Sequence, residues 1–306
     1  MRLAERLEGG LLGLLIGDAV GVPYEFHPPT ALPDLGEIDM VPPRGFHRAH
    51  SNVAPGVWSD DGAQALCLLA SLLHCGRLDV QDFGNRLVNW LDRGYMAVDG
   101  IVFDVGMQTT KALHAIRSGV HAHAAGPATE WDNGNGSLMR VLPLALWHRG
   151  SDAELAADAE GQSGPTHGHL RAKVCCAVYA LWARSELRGT RSTLETAIEV
   201  YSSLCRDDAA RQAELAVLVR HEGAGGSGYV VDCLRSAAVA LEESYYAAVV
   251  RAAIAIGNDT DTTACVAGGL AGVRSGASGI PKPWRDGLHG KELVSPLLAD
   301  LLARRG

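Results

Sequence analysis

The stretch Ile256-Gly-Asn-Asp-Thr-Asp-Thr-Thr-Ala-Cys-Val-Ala-Gly-Gly-Leu270 sets two carboxylates, Asp259 and Asp261, at the mouth of a small-residue helix. Gly257-Asn258 forms a turn upstream, and Thr260, Thr262 and Thr263 surround the acids. An Asp or Thr at that place caps a helix, and the partial positive charge of a helix N-terminus favours a carboxylate. Capping accounts for one acid, not for a second one two residues on among hydroxyls. Hard oxygen donors at that density suit Mg²⁺, Mn²⁺ or Ca²⁺. Such a half-site needs a complement, and Trp58-Ser59-Asp60-Asp61-Gly62 supplies a second acidic helix start.

Around these two stretches the chain reads as helices. Leu3, Leu7, Leu11, Leu14 and Leu15 recur at helical spacing over residues 2–20, with Gly17-Asp18-Ala19-Val20-Gly21 as the stop. His27 to Val57 is proline-rich without helical period, a long loop of the kind that carries function. Asp60-Asp61 opens a helix through Leu66, Leu69 and Leu73 that Gly76 ends, and Asp79 starts the next. Asp104 is placed to cap a helix over Val105 to Ile116. Asn133-Gly134-Asn135-Gly136-Ser137 leads into a helix carrying Leu138, Val141, Leu142 and Leu146, and Thr166 begins another. Further helices are expected over 191–205, 207–222, 230–241, 244–254, 261–274 and 291–304. Strand alternation is nearly absent, and no repeat or charged linker divides the chain. One all-α domain over residues 1–306, with function on its interhelical loops, is the expected architecture.

Composition narrows the function. Of the 306 residues 47% are apolar, enough for a substantial core, and the formal net charge is −8. An acidic chain without a Lys/Arg block argues against nucleic-acid binding. Seven cysteines without a C-x-x-C fit reduced thiols, with Cys175-Cys176 as buried small apolar groups. The apolar run Leu11 to Ile16 is interrupted at Gly13 and closed by Asp18, unlike a signal peptide, and no segment reads as a membrane span. A cytoplasmic monomer is the expectation.

Two acidic helix starts, each with hydroxyl neighbours, can converge on a pair of octahedral divalent cations with shared carboxylates. Without cations that charge would be strongly repulsive. Read by themselves, Glu25 is a loop carboxylate, Gly134 and Gly136 shape a turn, and His167 with His169 could be structural.

Four motifs then appear in order: Gly17-Asp18-Ala19-x-Gly21-x-Pro23-x-Glu25-Phe26, Ser59-Asp60-Asp61, Gly134-Asn135-Gly136-Ser137-x-Met139-Arg140 and Gly257-Asn258-Asp259-x-Asp261-Thr262. Together, from about residue 8 to 275, they resemble the ADP-ribosylglycohydrolase family, which includes the dinitrogenase reductase-activating glycohydrolases and ADP-ribosylarginine hydrolases. The resemblance implies an all-α fold, two Mg²⁺ or Mn²⁺ ions, and hydrolysis of the glycosidic bond between ADP-ribose and a protein side chain, N-linked arginine first among these. It implies Ser59, Asp60, Asp61, Asp259, Asp261 and Thr262 as metal ligands and Asp104 or Glu25 as the base. It also implies Asn135, Gly136 and Ser137 near the substrate phosphates and His167 near the ribose. Expected partners are an ADP-ribosylated protein or a small ADP-ribosyl substrate, with no nucleic acid and no membrane. Gly62-Ala63 departs from the Thr followed by Glu, Gln or Met of many members, which removes a hydroxyl beside the acids. Other ADP-ribosyl linkages (serine, O-acetyl-ADP-ribose), a non-catalytic binding module and a di-metal phosphohydrolase are the rival readings.

Overall fold

Glycines at positions 9, 13, 17 and 21 fall four residues apart along the first helix and leave one of its faces without side chains. In the computed structural model, which describes residues 1–305, that face lies directly on the backbone of a later helix. A Cβ at Gly9 would stand 2.3 Å from the Gly272 carbonyl oxygen, and one at Gly13 would stand 2.5 Å from that of Gly268. At Gly17 it would meet the Ala264 oxygen at 2.1 Å, and at Gly21 the Asp261 Cα at 2.4 Å. The two helices are antiparallel, and Gly268 and Gly272 supply the matching gaps. The Tyr246 hydroxyl adds a hydrogen bond to the Gly13 carbonyl at 2.8 Å.

The described residues contain fourteen α-helices joined by loops and short 3₁₀ turns, with no strand pairing beyond one isolated bridge between Gly134 and Tyr229. They are α1 (Leu3–Gly21), α2 (Asp60–Cys75), α3 (Val80–Arg93), α4 (Met107–Arg117), α5 (Leu142–Trp147), α6 (Asp152–Ser163) and α7 (Leu170–Leu187). There follow α8 (Leu194–Leu204), α9 (Ala209–Arg220), α10 (Val230–Ala240), α11 (Tyr246–Ala255), α12 (Thr260–Ser275), α13 (Lys282–Gly287) and α14 (Lys291–Arg305). One continuous apolar core runs through them, with α1, α2, α7 and α12 buried on nearly every side. That is why these helices read as apolar all round rather than amphipathic.

Local signals explain most helix ends. Ser59 caps α2 and Gly76 closes it in the left-handed conformation, while Asp79 caps α3 through the Gln81 and Asp82 amides. The first helix ends at Gly21, close to the expected 2–20, but Gly17 to Gly21 are themselves helical and continue the stripe against α12, with Asp18 fully buried. Two expectations are corrected. Asp104 does not cap α4, which begins at Met107 after Gly106. Thr166 does not begin a helix; α7 starts at Leu170, capped by the His169 ring. Helix α6 was not expected, since its small residues carry little periodicity, yet its capping box between Ser151 and Glu154 was legible. With its 3₁₀ extension, α1 (Leu3–Tyr24) is also long and apolar enough to cross a membrane, at 22 residues and mean hydropathy 1.2. In the fold 89% of that window is buried, as suits a core helix.

The α1–α12 contact leaves no room for a methyl group. Gly13→Ala is expected to destabilise the protein by roughly 3 kcal/mol or more, because backbone must move. Gly36→Ala, where nothing lies within 4 Å, should stay within about 0.5 kcal/mol of the parent. Chemical denaturation of the two variants measures the difference.

Candidate active site

The N-termini of α2 and α12 meet at the floor of a cleft of about 940 Å³. Their side chains touch, the Thr262 hydroxyl donating to Asp61 Oδ1 at 3.4 Å. The α1–α12 contact fixes the α12 side: the Thr260 hydroxyl donates to the Gly21 carbonyl at 2.9 Å, locking the start of α12 onto the end of α1. Asp18 fixes the α2 side. From inside α1 its carboxylate accepts from the Ser59 N–H at 2.9 and 3.1 Å and from the Gly62 N–H at 2.8 Å. A buried carboxylate from one helix thus caps the N-terminus of another, where free amides and the dipole both favour it. The expected loss at Gly62 also has a structural reason: a Cβ there would run into the Trp58 ring at 2.7 Å and Leu15 at 2.8 Å.

Asp60, Asp61 and Asp261 are buried, and burial followed by repulsion from neighbouring carboxylates drives their carboxyls well above the usual range. The Asp61 Oδ2 and Asp261 Oδ2 atoms are enclosed with no hydrogen-bond donor. Buried carboxylate oxygens rarely go unpaired, and a hard cation is the partner this donor set suits. Glu25, Asp259 and Asp261 can each bring one oxygen within 4.8 Å of the others, so acidic residues of the cleft could hold a metal ion. Of the ligands expected from the sequence, Asp259 and Asp261 belong to that group, together with Glu25. Ser59 serves α2 as its N-cap, its hydroxyl accepting from the Asp61 N–H at 3.3 Å.

Glu25 projects from the end of the 3₁₀ turn after α1, and burial, then Asp104, push its carboxyl up to about 10. His50, unmarked by any sequence signal, reaches it from the proline-rich loop, with Nε2 2.7 Å from Glu25 Oε2. Asp104 is close by: Glu25, His50 and Asp104 can bring one atom each within 4.8 Å of one another. Burial raises the Asp104 carboxyl and His50 lowers it. Phe26, His50 and Asp104 all hold left-handed backbone, at φ 63°, 47° and 56°. Strain of this kind concentrates where structure over-determines a functional position.

The opposite wall is the 134–137 turn. Gly134, Asn135 and Gly136 line the cleft, and a Cβ at Gly136 would press on the His167 ring at 2.9 Å, one at Gly134 more lightly at 3.3 Å. Asn135 turns toward the acids, its side-chain amide donating to Asp259 Oδ2 at 2.9 Å. Its own N–H is taken by the Gly228 carbonyl. Ser137 is not at the cleft surface: fully buried, its hydroxyl accepts from the Ser163 hydroxyl at 2.9 Å. His167 lines the cleft with Nδ1 held by the Thr166 hydroxyl at 2.8 Å. Burial, then Arg140, lowers it to about 3, so it is a neutral ring. Tyr246 and Trp182 pack in the core, and Tyr245 lies exposed.

Comparison with known proteins agrees with this arrangement. A family model described as ADP-ribosylglycohydrolase matches residues 1–306. The chain is 33% identical over 305 residues to an ADP-ribosylarginine hydrolase Tri1 of Pseudomonas putida (strain GB-1), covering 98% of this chain and 78% of that protein. It is 29% identical over 290 residues to an ADP-ribosyl-(dinitrogen reductase) glycohydrolase of Rhodospirillum rubrum, covering 92% and 89%. A solved structure titled ADP-ribosylglycohydrolase-related protein complex superposes with a TM-score of 0.77 at 30% identity, over 99% of this chain and 98% of that one.

The raised carboxyls set the pH response of the cation-free protein. Glu25 moves from 4.5 to about 10 and Asp18 from 3.8 to about 7. A carboxyl raised by folding stabilises the fold below its unfolded value, and that contribution is lost as pH rises through the folded value. In EDTA the melting temperature is therefore expected to fall between about pH 5 and about pH 9. Mn²⁺ should raise it, most strongly at the alkaline end. A melting temperature in EDTA that climbs with pH would contradict the electrostatics described.

Proposed function

The chain belongs to the ADP-ribosylglycohydrolase family of enzymes, and from that premise we propose that it removes ADP-ribose from arginine side chains of modified proteins by a metal-dependent hydrolysis. The observation that carries this reading is the pair of donorless, buried carboxylate oxygens on Asp61 and Asp261, set where two helix N-termini meet beneath a nucleotide-sized cleft. Residues 1–306 would act as one unit. The relatives named for arginine and for dinitrogen reductase favour an N-linked substrate.

Asp60, Asp61, Asp259, Asp261 and Thr262 would hold two divalent cations, Mg²⁺ or Mn²⁺, with Ser59 shaping the α2 tip and Glu25 within reach as a further oxygen donor. When bound, these supply positive charge to a sugar diol and to water. Asp104, which lines the cleft beside His50 and Glu25, is the group we assign as base. It takes a proton from the attacking water as oxygen bonds to the anomeric carbon. The carbon–nitrogen bond breaks, and the guanidine leaves with a proton returned from a carboxylic acid or solvent. Water arriving opposite the leaving group inverts that centre. Of the residues of the turn that line the cleft, Gly136 has the N–H left for a phosphate, because the Asn135 N–H is already engaged. Neutral His167, oriented by Thr166, offers its other nitrogen to a ribose hydroxyl.

Product analysis tests the reading. ADP-ribosyl-arginine is expected to be cleaved with Mn²⁺ and spared in EDTA, with ADP-ribosyl-serine cleaved far more slowly; the reverse preference would move the assignment to an O-linked substrate. Asp261→Asn is expected to abolish both cation binding and turnover. Asp104→Asn should cut kcat by about 10²–10⁴-fold while leaving cation binding intact, and joint loss of both would instead make Asp104 a ligand.

A further inference from the structure

We infer that Gln64, braced by Arg140, is a positioning residue for Asp60, fixing which oxygen of that carboxylate is left for a cation. Gln64 lies one helical turn beyond Asp60 on α2 and is wholly buried. Its Nε2 donates to Asp60 Oδ2 at 2.8 Å, and its Oε1 accepts from Arg140 Nη1 at 2.7 Å. A guanidinium can only donate. Arg140 therefore dictates the orientation of the Gln64 amide, oxygen toward itself and NH₂ toward Asp60.

Arg140 is in turn held on several sides. It has no exposed surface, and its Nε and Nη2 donate to the Gln162 side-chain oxygen at 3.2 Å and the Gln162 carbonyl at 3.0 Å. The guanidinium lies 5.0 Å from the centroid of the Phe83 ring. None of these partners is a carboxylate, so the charge is not consumed in an ion pair and remains directed, through Gln64, at the acidic floor. Gln162 also donates to the Ser137 carbonyl at 3.0 Å, so the same brace reaches the turn on the opposite wall. With Oδ2 committed to Gln64, Asp60 presents Oδ1 to the cleft. Outer partners of this kind orient metal-binding carboxylates.

The inference rests on the two-cation reading above, and its test is Mn²⁺ titration of substrate-free protein by calorimetry, which does not depend on the linkage cleaved. Q64E keeps the shape and an acceptor for Arg140 but presents Asp60 with an oxygen in place of the NH₂. Q64M keeps the approximate volume and removes both hydrogen bonds. Both are expected to weaken Mn²⁺ binding roughly ten- to hundredfold, Q64E at least as much as Q64M. If Gln64 only fills space and satisfies Arg140, the order reverses and Q64E binds like wild type. Near-wild-type Mn²⁺ affinity in Q64E, with its circular dichroism unchanged, overturns the inference while leaving the wild-type site standing. Failure of the wild-type protein to bind Mn²⁺ overturns both.

Discussion

Everything in this molecule depends on two helix backbones touching. Side chains normally hold helices about 8–10 Å apart; here glycines 9, 13, 17 and 21 of α1 and glycines 268 and 272 of α12 remove them, and carbonyl oxygens of one helix lie where Cβ atoms of the other would be. Close approach of this kind exchanges side-chain burial for dense backbone packing, which tolerates almost no substitution. Its functional product is positional. The end of α1 is bonded to the start of α12 by Thr260, and Asp18, three residues before that end, binds the start of α2. Two acidic helix tips distant in sequence are thereby set by a single rigid element.

The arrangement has an electrostatic consequence. Asp18, Glu25, Asp60, Asp61 and Asp261 are all buried close to one another, and each is pushed toward its neutral form. Burying one ionised group without a partner is costly, and several of like sign more so. The fold offsets part of this with amides at two helix N-termini and with Arg140, a buried cation that carries no carboxylate of its own. The remainder is left for an external positive charge. The site is thus an unstable arrangement by itself, held in place by packing elsewhere, as active sites generally are.

The sequence was informative where physics is local. Ser59, Asp79 and Gly76 cap or close helices through their own side chains or backbone, and those ends were legible. So was the all-α class, from the apolar spacing of α1, α2 and α7. What escaped reading depends on distant partners. Asp18 read only as the close of an apolar run; only α2 gives it a reason to be buried. Asp104 looked like a cap, whereas its left-handed backbone faces it into the cleft beside His50. His50 arrives from a proline-rich loop with no period, and Ser137, expected at a phosphate, is enclosed behind the turn. Of the candidate ligands, the two acidic stretches were visible as clusters, but nothing in either stretch specifies that Thr262 meets Asp61.

The pairing of α1 with α12 also has a temporal meaning. About 240 residues separate Gly21 from Thr260, and at roughly 5–20 residues per second a ribosome takes about 12–48 s to make them. Through that interval the long apolar first helix waits for the surface shaped to receive its glycine face. Contacts so remote in sequence slow the search for the native state. The acidic centre is consequently among the last features a newborn chain can assemble.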